Sequence, residues 1–389
     1  MKKILFSFLM ATALLTPIAL TSCDKKTTDP VPPIEDNKLS GSVKGTRTLN
    51  ASVAYILDGP LLIEDGGVLN IPAGTVIKAK KGFSSYILVL QGGKINVNGT
   101  ADKPVTMTAD VANAGQGYWG GLIINGRAPL SGNTTGSTEI NSAYSYGGTN
   151  AADNSGSITY LKLEYTGARS TADVEHNGLT LNGVGNGTKI ENIYIPHGAD
   201  DGIEFFGGTV NVKNLLVVNP DDDMFDVTQG WSGTLENCYG IWEADYSSTE
   251  SDPRGVEADG NLDGKFPDQK GQSDFTIKNM TIELKLPAIA SNHADFKKKS
   301  MQDVIKIRRG AKATIINALV KGTGTAEDII DLTGYDANPE TSISLTNKLV
   351  NFTGKAINKN AEIPFANVKI VDGNTGCPTA IFAWTGYKF

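Results

Sequence analysis

"HGADDGIEFFGGTVNVKNLLVV" (197–218) runs directly into "NPDDDMFDVTQGWSGTLENCYGI" (219–241). The two stretches align without a gap through their first strand: Asp200 falls on Asp222, Asp201 on Asp223, Ile203 on Phe225 and Glu204 on Asp226, each pair 22 residues apart. A repeat of this length is one turn of a solenoid, a unit that buries its apolar face only by stacking on its neighbours. A second motif keeps step with it, an apolar residue, any residue, then asparagine: "IEN" at Asn192, "VKN" at Asn214, "LEN" at Asn237, "IKN" at Asn279, "IIN" at Asn317 and "LTN" at Asn347, with Asn367 extending the series. The intervals of 22, 23, 42, 38, 30 and 20 read as one coil with or without an insertion.

Glycine at 44 positions and short runs such as "ITYLKLEY" and "KATIINALV" favour strands over helices. Strands recurring at this pitch predict an all-β, right-handed parallel β-helix over residues 41–389, with the asparagines stacked as a structural ladder. Each asparagine left without partners in such a turn would cost about 1 to 3 kcal/mol. Insertions are expected at about 242–274 and 287–303.

The register carries the acidic cluster to other coils. The frame D-x-φ-charged-φ recurs from Asp201, Asp223, Asp303 and Asp328, with Arg254 as a variant, and strand alternation turns its charged position outward. The outward column then reads Glu204, Asp226, Glu257, Lys306, Asp331. Strands lie about 4.8 Å apart, where like charges cost about 0.9 kcal/mol in water and several times that when partly buried. Lys306 and Arg308 relieve the lower half. The frame offers no lysine or arginine to Asp200, Asp201, Glu204, Asp222, Asp223 and Asp226, and only His197 lies near in sequence. Carboxylates so gathered at a turn are what a hard cation such as calcium selects, which makes calcium a candidate cofactor; a solvated acidic turn, or aspartates capping the turn as Asx motifs, is the reading it has to displace.

The N-terminus, "MKKILFSFLMATALLTPIALTSC", has the basic start, apolar run and small residues of an export signal. Leu20-Thr21-Ser22-Cys23 resembles the lipobox of bacterial lipoproteins, which implies lipid attachment at Cys23, a polar tether over 23–40 and a cell-envelope location, outer membrane or cell surface. Loss of residues 1–22 leaves 33 basic against 42 acidic side chains, a net charge of −9. Such a body repels phosphate backbones and excludes nucleic acid as a partner. Cys238 and Cys377 alone make no disulfide framework.

"GYWGGLIINGRAPLSG" (117–132), "YGGTNAADNSGSITYLKLEYTG" (146–167), "NGLTLNGVGNGT" (177–188) and "ADDGIEFFGGTVNVKNLLV" (199–217) together resemble a family of β-helical secreted proteins and lipoproteins of Bacteroidota. The resemblance covers most of residues 40–389 and implies a pectin-lyase-like right-handed helix at the cell envelope, with no established activity to carry over. Polysaccharide lyases and polygalacturonases use this fold. The Gly-His-Gly element of the polygalacturonases is missing here, and Asp201 and Lys306 are coils apart. A calcium-assisted lyase acting on acidic glycans would draw its base from Arg254, Lys306 or Arg308. No catalytic residue is assigned.

The expected function is therefore a membrane-anchored, monomeric binding, adhesion or structural module for carbohydrate or another envelope component. Trp242, Tyr246, Arg254 and Phe266, in the first insertion, have the composition of a sugar-stacking surface. The aromatic tail, Phe382, Trp384, Tyr387 and Phe389, is expected to close the last coil's open core.

Overall fold

The computed structural model describes residues 36–171 and 174–389. The expected signal segment, Cys23 and nearly all of the expected tether lie outside them. Residues 37–389 form one compact unit. The first strand, Lys38–Val43, already pairs with Ala54–Ile63, so the solenoid begins inside what the sequence assigns to the tether.

The chain is a right-handed parallel β-helix. Its main sheet has 23 strands. The register confirms the 22-residue pitch: Ile190 sits on Val212 and Ile203 on Phe225. A coil consists of a long strand, such as Lys189–Pro196, and a short one, Ile203–Phe206; the next coil repeats them as Asn211–Val218 and Phe225–Thr228. Ile190 and Ile193 are both interior although three residues apart, which strict alternation forbids. The intervening Asn192 resolves the conflict by taking a left-handed backbone, φ 59°, which turns the strand through a corner. Asparagine adopts that conformation more readily than other side chains.

The corner asparagines form a file. Asn214 Nδ2 donates to Asn192 Oδ1, Asn237 to Asn214, Asn279 to Asn237 and Asn317 to Asn279, each at 2.8 Å. Above Asn192 the corner belongs to Tyr160, φ 51°, which has no amide to continue the chain. At the other end Asn317 Oδ1 accepts the backbone N–H groups of Thr375 (2.8 Å) and Gly376 (3.3 Å).

Asn347 does not join the file, contrary to the sequence pattern. A register irregularity after Ile315 sets Ala318 on Leu345 and Val320 on Asn347, so the last coil skips the corner. Asn347 instead bonds both backbone groups of Leu349. Asn367 is out of line as well, paired with Ser342.

The core is a row of aliphatic columns, with Trp231 stacked between Phe205 (4.0 Å) and Phe275 (5.5 Å). The insertions differ from their expected bounds. The first is two excursions, 243–255 and 260–273, around the core strand Val256–Asp259. The second ends at 299, because Ser300–Arg308 is a strand. A third, 126–155, carries the antiparallel hairpin Gly136–Thr138/Asn141–Tyr146.

The aromatic tail is not an end cap. Phe382 is buried on the flank against Leu216, Val218, Tyr239 and Ile241, and Trp384 meets Tyr160 edge-on at 5.4 Å. Those outward positions are apolar and need cover, whereas the end of the core is closed by Leu349, Phe352, Ile357, Ile363 and Phe365.

Asn237→Ala removes two ladder bonds and the residue suited to its corner. It should destabilise the protein by about 2 to 3 kcal/mol in thermal or denaturant unfolding. Asn347→Ala, outside the file, should cost about 1 kcal/mol or less.

Candidate functional site

The turn "ADD" ahead of Ile203 and the turn "DDD" ahead of Phe225 are stacked by the same register that stacks the strands, so their carboxylates are neighbours of necessity. The outward column is the expected one: Glu204 on Asp226, Asp226 on Glu257, Glu257 on Lys306, Lys306 on Asp331. Followed upward it becomes Thr180, Ile123, Leu88 and Leu62, so a single face runs from apolar through acidic to alternating charge.

The acidic stretch floors a trough of about 680 Å³. One wall is the 136–146 hairpin, pinned by Tyr146, whose hydroxyl donates to Gln229 Oε1 at 2.7 Å and whose ring packs with Phe206 at 6.3 Å. The opposite wall is Leu262, Asp263 and Lys265 of the 260–273 excursion. The walls are tied together: Ser131 Oγ donates to Gln269 Oε1 (3.0 Å) and Gly132 N to Lys270 O (2.7 Å).

Ten of the seventeen lining residues are Asp or Glu, and all six carboxylates singled out by the sequence are among them. Glu139, Glu175, Glu257 and Asp263 complete the set. The hairpin brings in Glu139 and Tyr146, which no local motif marks; their position depends on where the excursion lands. His197 does not approach the acids, since its ring stacks on Tyr165 at 5.8 Å. Arg169, from outside the repeat, reaches the rim instead and pairs with Glu250 (2.7 Å), Glu175 (3.2 Å) and Asp221 (3.8 Å).

Asp201 and Asp223 are tied into the turns, Asp201 Oδ1 accepting Asp223 N (2.9 Å) and Asp223 Oδ1 accepting Arg254 N (2.6 Å). Glu204 accepts from Asn177 Nδ2 at 2.5 Å. Three groups, Asp200/Asp201/Asp222, Asp201/Glu204/Asp226 and Asp223/Asp226/Glu257, each bring one oxygen per residue within 4.8 Å of one another. Burial, then like charge, holds the pKa values of Asp200, Asp201, Glu204, Asp223 and Asp226 well above the carboxylate range. Asp222 is lifted to about 7 by burial first and then by Asp252 and Glu257. Glu139 also rises to about 7 by burial beneath its neighbours and by Asp263. The residue as a whole keeps a solvent-exposed surface although its carboxyl is crowded by the surrounding walls, so water screens it and it weighs less in stability than the buried acids.

The residues expected to stack on sugars are placed differently. Trp242 is fully buried, and its Nε1 donates to Pro220 O at 3.3 Å. Tyr246, 8% exposed, donates to Pro220 O (2.7 Å) and Asp221 Oδ1 (3.1 Å). Both anchor the first excursion to the preceding coil, because Trp242 closes a core strand and Tyr246 folds over it. Arg254 is buried too, held by Glu257 (2.9 Å), Asp252 (2.9 Å) and Asp303 (3.5 Å). Phe266 alone of the four is exposed, on the excursion that carries the trough's outer wall. Lys306 is bonded to Asp331, and Arg308 holds Glu257 (2.6 Å) and Asp259 (2.9 Å). All three candidate lyase bases are thus committed to carboxylates.

A sequence model described as a pectate-lyase-like β-helix domain matches residues 41–386. No curated protein matches the chain. Solved structures of the catalytic domain of a GH87 α-1,3-glucanase are similar: one in complex with tetrasaccharides at 12% identity and TM-score 0.33, covering 82% of this chain and 63% of that one. Another, in complex with nigerose, has 13% identity and TM-score 0.32 with the same coverages. The chain spans about 63% of the length of these structures.

The raised carboxyl pKa values set a pH dependence. A group whose pKa is higher folded than unfolded stabilises the fold fully below its unfolded pKa and loses that contribution as pH rises through the folded value. For Asp222 the contribution falls away from about pH 4 and is nearly gone above about pH 7. His176, pushed down to about 4 by burial, acts oppositely below about pH 6.5. The clean readout is therefore a difference: Asp222→Asn should melt a few degrees above wild type at pH 8, and that gap should close as pH falls from about 7 towards 4.

Proposed function

The chain belongs to the pectate-lyase-like β-helix domain family, and on that footing we propose that it is a glycan-binding module of the cell envelope, anchored through lipid on Cys23, with the acidic trough as its binding site. The observation that carries this reading is the trough itself: two chain excursions that a bare solenoid does not need are clasped together over a carboxylate-lined floor. Its volume suits a few pyranose rings. Carboxylates accept hydrogen bonds from sugar hydroxyls. The lipobox-like Leu20–Cys23 supports the anchor; among the described residues no helix is long and apolar enough to cross a membrane.

Binding is favoured over a lyase reaction because Arg254, Lys306 and Arg308 are each engaged by carboxylates, and Lys265, the one cation among the described lining residues, is paired with Asp263. A glycan array probed with the full chain should show selective binding. Glu204→Gln combined with Asp226→Asn should weaken it at least about ten-fold, or 1.4 kcal/mol. No saccharide bound on a broad array would overturn the reading. Trp242→Ala should instead lower stability by about 3 to 5 kcal/mol, as a cavity in the core does.

A second reading is favoured by the three carboxylate groups within 4.8 Å: a calcium ion held among Asp200, Asp201, Glu204, Asp222, Asp223 and Asp226. Calcium takes six to eight oxygens at about 2.3–2.6 Å, so such a group supplies part of a shell that turn carbonyls and water complete. At calcium one hundred times its Kd, stability would rise by about 2.7 kcal/mol. A melting temperature unmoved by millimolar calcium and by chelator would remove this reading and leave the glycan site standing.

A further inference from the structure

The trough is more acidic than its wall chemistry can compensate. Among its lining residues Lys265 is the single cation against ten carboxylates. The nearby cations reach only the edges of the set: Arg254 and Arg308 pair with Glu257, Arg169 with Glu175 and Lys265 with Asp263, and among the described residues none of Asp200, Asp201, Glu204, Asp222, Asp223 and Asp226 has an ion pair within 4 Å. Asp200 is the sharpest case. It is 8% exposed and opens onto the trough, yet among the described residues its carboxylate has no hydrogen bond and no ion pair within 4 Å, Arg169 attracting it only from farther off. Asp222 Oδ1, one turn further, is likewise buried without a hydrogen-bond partner. A buried carboxylate aimed into a cleft and left unpaired asks for a donor from outside the chain.

We propose that this donor is the ligand's own ammonium groups: the trough takes a glycan of de-N-acetylated hexosamine, carrying one protonated amine per sugar. The inference rests on the reading of the trough as a glycan site and names its substrate class. An ammonium brings three donors and a positive charge, the complement of carboxylates that have acceptors only. Acidic columns repeat once per coil at about 4.8 Å, close to the advance of one pyranose along a chain, so successive amines meet successive coils. Burial first, and crowding by neighbouring carboxylates second, hold the carboxyl pKa values up, and a bound cation would lower them. Acidic glycans are disfavoured by like charge. A cationic peptide also carries the charge, but the same-face ammonium groups of an extended peptide fall about 6.7 Å apart, out of step with coils about 4.8 Å apart.

Calorimetric titration of the full chain at about pH 6, where amines are protonated, tests this. The probes are glucosamine hexasaccharide, its N-acetylated counterpart, hexagalacturonate and hexalysine. The amine sugar should bind at least ten-fold tighter than the acetylated one, the gap should shrink in about 0.5 M salt, and hexagalacturonate should not bind. Asp200→Asn with Asp226→Asn should remove most of the preference; Glu204→Gln alone is the second variant if that pair fails to fold. Glu236→Gln, on a different face and ion-paired with Lys213, should leave binding unchanged. Equal binding of both sugars would overturn the amine inference while leaving the glycan site intact. Hexalysine binding as tightly as the amine sugar would overturn the sugar class, and no binding by any saccharide would overturn both readings.

Discussion

The parallel hydrogen-bonded stacking of one coil on the next governs the rest of this structure. Because each strand pairs residue for residue with its counterpart about one pitch away, whatever the sequence places at one position it must tolerate in a column. Aliphatic columns fill the interior at little cost. Polar columns must bond along the stack. At the corner the solution is asparagine, whose amide is both donor and acceptor and whose backbone accepts the left-handed turn. The file ends where a residue lacks that combination, at Tyr160 above and at backbone N–H groups of the tail below Asn317.

A column of like charge has no such internal solution. Two coils of acids come close enough that repulsion and burial compound, and the protein answers in two ways. Below Asp226 it alternates sign, with Arg254, Lys306 and Arg308 set among Glu257, Asp259, Asp303 and Asp331. Above, it lets the carboxyls hold protons at unusually high pH and walls them with a hairpin. The lower half costs nothing in function and reads as architecture. The upper half keeps a loss of stability that a proton or a cation would relieve.

Much of this was legible from residues. The 22-residue offset between Asp201 and Asp223 gave the pitch, the outward column from Glu204 to Asp331 and the gathering of six acids, because a regular lattice turns sequence separation into distance. What failed did so where the lattice breaks. Asn347 matched the motif but lay beyond a register slip that its local sequence does not signal. Trp242 and Tyr246 had the composition of a binding loop, yet the first ends a core strand and the second closes over the preceding turn. Composition does not reveal which way an irregular segment faces.

The sequence by itself determined the solenoid, its pitch, the corner file and the clustering of Asp200, Asp201, Glu204, Asp222, Asp223 and Asp226, since all are consequences of local period and strand alternation. Tertiary structure alone decided that these acids floor an enclosed trough, that Glu139 and Tyr146 face them across it, that Arg169 guards the rim, and that the aromatic tail lies along the flank. Those placements depend on where long excursions land, which is settled by the hydrogen bonds and apolar patches they meet far away in the chain, such as Gln229 for Tyr146 and Leu216 and Ile241 for Phe382.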